Sequence, residues 1–457
     1  MHESNPFWNE LCDGVFGERI APYRLTGAGH LPSYFRTTDL AEASIGLAGV
    51  ALARLGVGET VSVNQRRAAL WFDMTLRPVG WEADSLWDAV AGNYQCKDGW
   101  IRLHTNAPHH RDAALSVLKV AADRDLVAGA VLDWNGEALE KAIVAANGCA
   151  AFMRTAKEWR AHPQGQALAR DPLVQWQVCG DCAPRAATLK GLKVLDLTRV
   201  LAGPVATRVL AGFGANVLRI DPPSWNEPSV EMEVTLGKRC AGLDLRKSDD
   251  LARLKTLLQD ADVFVHGYRA DALERLGLGA EVRRALNPEM IDVSLNAYGW
   301  SGPWVGRRGF DSLVQMSCGI AATGMAESGA NKPVPLPVQA LDHATGYLMA
   351  ACVLEALKAR SEGVLKSAKV SLARTALLLM KEPCAFVSEG AIVQSAADFS
   401  DGIEVTGWGD AQRVKLPLRN DGKLPEWPIA AGPLRRHEAV WREQSDLFSN
   451  KPEGSFL

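Results

Sequence analysis

Two aspartates stand at the heads of helical stretches rich in small residues, where a carboxylate can do covalent chemistry. Asp342 lies in the run ALDHATG at residues 340–346, and Asp39 heads a similar run that ends at Arg54. The helix dipole and the free N–H groups of a helix N-terminus hold a carboxylate ionised. An ionised carboxylate can then act as a nucleophile toward a carbonyl carbon. The same pattern suits a plain helix N-cap, so the residue types alone leave both roles open.

The cysteines and paired histidines give weaker signals. The chain has nine cysteines, and only Cys179 and Cys182 form a CxxC pair. A zinc site needs a second pair of ligands nearby, and a redox motif needs a strand before it and a helix after it. We therefore predict reduced thiols in a linker. His109 and His110 are adjacent and diverge on any regular element, so we expect a surface pair and no metal site.

Several common enzyme signatures are missing. The turn after the strand at residues 193–198 reads TRVLAGP, without the GxGxxG of a dinucleotide site. GxxxxGK[ST], HExxH and GxSxG are also absent from the sequence. The nicotinamide, kinase and serine-hydrolase interpretations therefore lose their main support.

The elements that must position these residues alternate along the chain from residue 190. Short apolar runs at residues 193–198, 216–220, 262–266 and 291–295 predict buried strands, and residues 204–212 and 248–259 predict helices. Alternating strands and helices indicate right-handed crossovers and a mostly parallel sheet. Ligands of such sheets bind at the carboxyl ends of the strands.

The N-terminal third repeats a later passage of the chain. Residues 39–54, 59–63 and 68–71 predict a helix, a strand and a helix. Residues 343–358, 369–372 and 373–377 predict the same order of elements. We interpret this as a fragmentary internal duplication, against the alternative of chance similarity between two alanine-rich helices.

Composition limits the class of protein. The 457 residues carry 50 Lys and Arg against 53 Asp and Glu, which leaves a formal charge of −3. This balance argues against a nucleic-acid partner, which needs clustered positive charge. No apolar run reaches the ~18 residues of a membrane span. The N-terminus shows no secretory pattern, so we expect a cytoplasmic protein without a membrane partner.

Ordered motifs over residues 189–380 resemble the class III CoA-transferase family (CaiB/BaiF type), which includes formyl-CoA and carnitine CoA-transferases and α-methylacyl-CoA racemases. The matching stretches are LKVLDLTRVLAGP at 192–204, FGANVLRID at 213–221, GKR at 237–239, LDL at 243–245, ALERLG at 272–277, YGWSGP at 298–303 and GFD at 309–311. The resemblance implies an α/β fold with a Rossmann-like, mostly parallel sheet domain and a smaller α+β module.

The resemblance also implies site residues. The family's nucleophilic carboxylate matches Asp342, and an acidic position beside the transferase site matches Asp311. The racemases carry a histidine at the position of Phe310, which cannot exchange a proton, so transfer is favoured over racemisation. Taken alone, Asp311 equally suits a polar residue before a helix.

The family's CoA pocket maps onto residues that follow the predicted strands, where guanidinium groups can pair with phosphates and an aromatic ring can pack on adenine. They are Arg199, Val200, Leu201, Ala202, Leu243, Arg246, Tyr268, Arg269, Arg275, Leu276 and Arg308. The segment HGYRAD at 266–271 departs from the family pattern, and no glycine-rich loop of the formyl-CoA kind is present. The identity of the acceptor acid therefore stays open.

The order of segments departs from that of ordinary members. We predict a partial repeat at 1–89, a small α/β module at 90–150, a linker at 151–189, a Rossmann-like CoA-binding and catalytic domain at 190–384, and a C-terminal tail at 385–457. We interpret these segments as two half-copies of a family member, joined in reversed order. Asp39 aligns with Asp342, and we interpret it as a relic. The resemblance implies a homodimer, although the rearrangement leaves open whether it is interlocked.

The resemblance thus implies a CoA-transferase that moves CoA from an acyl-CoA to a free carboxylic acid through an aspartyl-CoA thioester. CoA takes part as a substrate, and no metal or redox cofactor is expected. The alternatives are an acyl-CoA isomerase or racemase with another base, and a non-catalytic CoA-binding subunit.

Overall fold

The computed structural model describes residues 5–269, 271–386 and 391–442. The helices are α1 (Trp8–Phe16), α2 (Thr37–Arg54), α3 (Gln65–Leu70), α4 (Pro108–Leu118), α5 (Arg124–Leu132), α6 (Gly136–Ala145), α7 (Ala156–Ala161), α8 (Pro163–Leu168), α9 (Ala202–Gly212), α10 (Pro228–Val234), α11 (Ser248–Gln259), α12 (Ala272–Arg275), α13 (Ala280–Leu286), α14 (Asp311–Cys318), α15 (Ile320–Ser328), α16 (Ala340–Ser361) and α17 (Leu372–Leu379).

The strands are β1 (Arg24–Thr26), β2 (Val61–Asn64), β3 (Leu76–Pro78), β4 (Gly92–Cys96), β5 (Gly99–Leu103), β6 (Ala150–Phe152), β7 (Gln175–Asp181), β8 (Lys193–Leu197), β9 (Asn216–Asp221), β10 (Arg239–Gly242), β11 (Val263–His266), β12 (Ile291–Asn296), β13 (Val364–Ser371), β14 (Glu404–Thr406), β15 (Gly409–Arg413) and β16 (Leu418–Asn420).

The largest sheet in the described residues has seven strands, in the order β10-β9-β8-β11-β12-β13-β7. Every neighbouring pair from β10 to β13 is parallel, and β7 is antiparallel to β13. Its inner strands are short apolar runs because helices cover the sheet. The predicted α/β class with a mostly parallel sheet is therefore confirmed.

Helix α16 crosses one face of this sheet between α2 and α9. Its contact with α9 is close: a Cβ at Gly346 would lie 2.4 Å from the carbonyl oxygen of Ala202. Only a residue without a side chain fits this crossing. The contact fixes the N-terminal turn of α16, and with it Asp342, beside the turn that follows β8.

A small module lies in the region where the sequence predicts one, at residues 90–150. The antiparallel sheet β4-β5-β6 packs with α4, α5 and α6 around a core that includes Tyr94, Ile101 and Leu139. Strands β5 and β6 also contact α14. The module therefore lies against the beginning of α14, where Asp311 is placed.

The predicted linker and tail contain regular structure that their composition did not indicate. The linker at 151–189 supplies α7, α8 and the edge strand β7. The tail supplies β16, which pairs with β2, and β15, which pairs with β3. Short polar strands of this kind are defined by their distant partners, which a local sequence pattern cannot reveal.

The duplication stays a prediction, although two segments share an order of elements. The helix–strand–helix order of α2, β2 and α3 matches that of α16, β13 and α17, and α2 lies alongside α16. Asp39 pairs with Arg36 at 3.3 Å.

Candidate active site

Asp342 and Asp311 meet at the N-terminus of α16. Asp342 lies in its first turn and is 6% exposed, and Asp311 begins α14 and is 1% exposed. The Oδ2 atom of Asp311 accepts hydrogen bonds from the backbone N–H groups of Leu341 at 2.8 Å and of Asp342 at 3.0 Å. The carboxylate of Asp311 therefore satisfies two free donors at the start of α16.

This arrangement differs from the expected stabilisation of Asp342 by free N–H groups. Those donors are already bonded to Asp311, because Asp311, the first residue of α14, lies at the N-terminus of α16. Burial raises the pKa of Asp342 well above its ordinary value, and the negative charge of Asp311 raises it further. Asp342 is thus a desolvated carboxyl group next to a like charge.

Asp311 is itself held from its other side. The side-chain amide of Gln315 donates to its Oδ1 atom, and Oε1 of Gln315 accepts from the N–H of Leu336 at 2.7 Å. Burial raises the pKa of Asp311 to about 6, against the opposing effect of the Gln315 hydrogen bond. The two buried aspartates therefore titrate together, with protons binding well above the ordinary carboxyl range.

A cleft of about 300 Å³ opens on Asp342 at the carboxyl ends of β8, β11 and β12. Four arginines line this cationic cleft: Arg199, Arg269, Arg307 and Arg308. Arg307 pairs with Glu140 at 2.9 Å. The other three have no carboxylate partner within the described chain, and the charges of Arg269 and Arg199 help burial to lower the pKa of Arg308. Unpaired cations held this close together favour binding of an anion.

Two aromatic side chains contact Arg199 in the cationic cleft. The guanidinium of Arg199 lies 4.7 Å from the ring centre of Trp225, and its Nη2 atom donates to the hydroxyl of Tyr268 at 3.3 Å. The next residue, Val200, has a φ of 63°, which is rare for a β-branched residue. Its N–H donates to Glu227 at 2.9 Å, which holds the turn in this conformation.

A second cavity of about 470 Å³ also reaches Asp342. It shares Val200, Trp225, Phe310 and Asp342 with the cationic cleft. The remaining wall comes from the N-terminal repeat, the small module and the segments around residues 227 and 338. Asp342 therefore faces two compartments.

The structure brings most of the predicted site residues together. Arg199, Val200, Ala202, Tyr268, Arg269, Arg308 and Asp342 line the cationic cleft, and Leu201 and Asp311 line the second cavity. Leu243, Arg246, Arg275 and Leu276 line neither cavity. Arg246 pairs with Asp244 at 2.8 Å and Arg275 pairs with Asp271, both at exposed positions. The CoA-binding role of these four, like that of the residues that line the cavities, stays a prediction.

Several residues at the site carried no usable signal in the sequence. The ring of His104 stacks on Phe310 at 3.8 Å between ring centres, and the small module places it there. Trp225 follows β9 in a loop without a motif. The expected surface pair is wrong for His110, which is buried. Because α4 begins at Pro108, His110 turns toward Phe310 while His109 remains exposed at the cationic cleft.

Two further properties of the described residues bear on the site. The described ranges contain no group of three or more His, Cys, Asp or Glu side chains placed to hold a metal ion. Across the same ranges, we find no helix with the length and apolar character needed to cross a membrane.

Comparisons with known proteins point to one family. Residues 189–398 match the family model described as CoA-transferase family III. Acetyl-coenzyme A transferase nodX of Hypoxylon pulicicidum is 37% identical over 179 residues, covering 38% of this chain and 30% of that protein. The probable fatty acyl-CoA transferase of Mycobacterium tuberculosis is 34% identical over 187 residues, covering 38% and 47%. Succinate–glutarate CoA-transferase of Agrobacterium fabrum is 32% identical over 197 residues, covering 39% and 48%.

A crystal structure of a hypothetical protein from Mycobacterium tuberculosis aligns with 42% of this chain and 57% of its own, at 31% identity and a TM-score of 0.37. The chain spans less than half the length of each of the three curated relatives named above. The matched segment contains both aspartates and all four arginines of the cationic cleft. The resemblance predicted from the sequence motifs is therefore confirmed over residues 189–398, which match the model of CoA-transferase family III.

Proposed function

We propose that this protein moves CoA from an acyl-CoA to a free carboxylic acid, with Asp342 as the nucleophile. One observation carries the proposal: a buried carboxyl group lies where a cleft with unpaired arginines meets a second cavity. The cationic cleft suits the CoA phosphates, and the second cavity suits the acyl group and the acceptor acid. The relatives named as CoA-transferases support this assignment.

The reaction balances as four acyl substitutions. The carboxylate of Asp342 attacks the thioester carbonyl, which forms a mixed anhydride and releases CoA thiolate. The thiolate attacks the aspartyl carbonyl, which leaves an aspartyl-CoA thioester and the donor acid. The acceptor carboxylate then attacks this thioester and forms a new anhydride. The thiolate finally attacks the acceptor carbonyl and releases the new acyl-CoA and free Asp342.

The surroundings of Asp342 fit these roles. Burial that raises its pKa also removes water from its oxygens, so the ionised form is a more reactive nucleophile. Arginines of the cationic cleft would stabilise the released thiolate and the CoA phosphates. Asp311 would act as a positioning residue, because it bonds the backbone of Asp342 and not the reacting atoms.

Trapping the covalent intermediate tests the proposal. The protein is incubated with acyl-CoA, treated with hydroxylamine or borohydride, and digested for mass spectrometry. We expect a hydroxamate or a reduced side chain at Asp342, and none at Asp39, which heads the repeated helix. An adduct elsewhere, or none while transfer proceeds, contradicts the assignment. CoA binding without adduct or transfer would favour the non-catalytic alternative.

One observation favours a second candidate, an acyl-CoA isomerase or racemase. His104 lines the same cavity as Asp342, and its Nδ1 atom is buried without a partner in the described structure. It could supply the base that Phe310 cannot. Incorporation of solvent deuterium at the α-carbon of acyl-CoA, lost in His104→Gln, would support this reaction over transfer.

The proposal includes two expectations from the sequence. The small module that faces the site comes from the same chain and gives no argument for a dimer. A homodimer is therefore proposed from the resemblance alone, and sedimentation checks it. A cytoplasmic location is proposed from the pattern of nine cysteines, all of them free thiols.

A further inference from the structure

The second cavity has an unusual balance of charge for a site that receives carboxylic acids. Its described lining includes Asp73, Asp84, Asp88 and Glu227 in addition to the two site aspartates, and no Lys or Arg among the described residues lines it. Asp88 pairs with Arg111 at 3.1 Å and Glu227 pairs with Arg219. Asp73 and Asp84 are exposed and have no ion-pair partner within the described ranges. The lining therefore holds six acidic side chains and no basic one among the described residues.

The arginines near this cavity, Arg102 among them, lie outside its lining. Arg102 lies with its guanidinium 4.6 Å from the ring centre of Trp87 and lines a separate cavity with Arg124 and Lys332. Trp87 lines both cavities. A second carboxylate in this cavity would thus meet acidic side chains and no lining cation, and such like-charge contacts are unfavourable.

The rest of the wall is mostly apolar and includes five uncharged polar residues, Ser85, Asn106, Asn226, Ser229 and Gln339. Phe72, Met74, Leu86, Trp87, Val230 and Val338 supply the apolar surface. His104 and His343 also line the cavity, each is more than nine-tenths buried, and the Nδ1 atom of each has no partner in the described residues. His343 follows Asp342 in the sequence, and His104 lines the same cavity as Asp342. They can bond one carboxyl or thioester group at the reaction centre while the body of the ligand contacts apolar side chains.

We infer that the second cavity selects monocarboxylic acyl groups with an uncharged apolar body and rejects acyl groups that carry a second carboxylate. This inference rests on the proposed function and specifies its substrate class. It separates the chain from relatives named for succinate and glutarate, both of which are dicarboxylates.

A matched pair of thioesters tests the inference. Hexanoyl-CoA and adipoyl-CoA have acyl chains of equal length and differ only in the terminal carboxylate. We expect kcat/KM to be on the order of 100-fold higher for hexanoyl-CoA, which reflects the cost of placing a second carboxylate among acidic groups. Equal or greater kcat/KM for adipoyl-CoA would overturn the inference.

An engineered cation gives the converse test. Leu86 lines the cavity and is 42% exposed, so Leu86→Arg can be accommodated. We expect this variant to gain at least about tenfold in kcat/KM for adipoyl-CoA. Leu126→Arg is the matched control, because Leu126 is 52% exposed on α5 and lines neither cavity. Gain in the control, or no gain in Leu86→Arg, contradicts the assignment.

A binding measurement separates failure of the inference from failure of the proposed function. Titration calorimetry compares hexanoate with adipate in the presence of CoA, without any need for turnover. Selective binding of hexanoate supports the inference even where no transfer occurs. Absence of transfer in that case would count against the proposed function and not against the inference. Binding of adipate with equal affinity, or of neither acid, overturns the inference.

Discussion

The carboxylate of Asp311 bonds the backbone N–H of Asp342 at 3.0 Å, so the first residue of α14 holds the first turn of α16. The same oxygen bonds the N–H of Leu341. These bonds fix where Asp342 sits. Burial raises the pKa of the Asp342 carboxyl, and the charge of Asp311 raises it further. Asp311 thus sets the position of its neighbour and contributes to its ionisation.

Replacing Asp342 should abolish transfer. We expect Asp342→Asn to lose at least about 1,000-fold in kcat, because the amide cannot form the anhydride. Asp39→Asn, at the head of the repeated helix, should retain the activity of the parent protein. Affinity for CoA, measured by calorimetry, should stay within about threefold in both variants. Transfer by Asp342→Asn at the parental rate would refute its role as nucleophile.

Neutralising Asp311 should move the pH dependence of the reaction. The reaction needs ionised Asp342, and loss of the neighbouring charge lowers the pKa of the Asp342 carboxyl. The acidic limb of the kcat/KM profile should therefore shift to lower pH in Asp311→Asn. Asp311→Ala should also destabilise α16 by about 1 kcal/mol through loss of its cap, measured by urea unfolding. An acidic limb that stays in place would exclude the charge coupling.

Asp342→Asn should increase stability at the alkaline end of the pH range. The folded state raises the pKa of the Asp342 carboxyl, so folding favours the protonated form. Below the unfolded pKa of about 3.9, Asp342 is protonated in both states and imposes no penalty. The penalty grows as pH rises toward the folded pKa, so the gain in the variant should be larger at about pH 8 than near pH 5. Urea unfolding at the two values measures it, and a gain independent of pH would point to packing instead.

Arginines of the cationic cleft should control CoA affinity. Hydrogen bonds to charged groups contribute about 1.5–3 kcal/mol, so Arg308→Ala and Arg199→Ala should each raise the Kd for CoA by about 10–100-fold. Arg160→Ala is the control, because Arg160 is an exposed residue of α7 that does not line the cleft. The effects should weaken with added salt. Equal losses in the control would indicate a general change of charge.

The same measurement applied to Arg246→Ala and Arg275→Ala decides their predicted role. Both are exposed and already paired with acidic neighbours, so we expect smaller increases in Kd than for Arg308. Losses as large as those of Arg308→Ala would place part of CoA outside the cleft.

Enlarging Gly346 should separate α16 from α9. The added methyl group would lie 2.4 Å from the carbonyl oxygen of Ala202, so Gly346→Ala should lose about 1–3 kcal/mol of stability and much of its activity. Gly129→Ala is the control, since a Cβ there meets nothing within 4 Å and α5 should tolerate or gain from it. Unchanged stability in Gly346→Ala would mean that the two helices can move apart.

The parallel core was predictable because its strands are short apolar runs. β8, β9, β11 and β12 lie within about two residues of their predicted positions, and the helix headed by Asp342 was also found. Strands such as β7 and β16 were not, since they are exposed or polar and depend on partners far along the chain.

The sequence by itself determined the match to CoA-transferase family III, the mostly parallel sheet and the candidate nucleophile, because ordered motifs and apolar periodicity are properties of adjacent residues. Only the tertiary structure decided that Asp311 caps the turn of Asp342 and that His104 stacks on Phe310. It also decided that a cationic cleft and an acidic, apolar cavity meet at one carboxyl group. These relationships join segments up to about 270 residues apart in the chain, and they follow from packing of helices and modules, which no local pattern encodes.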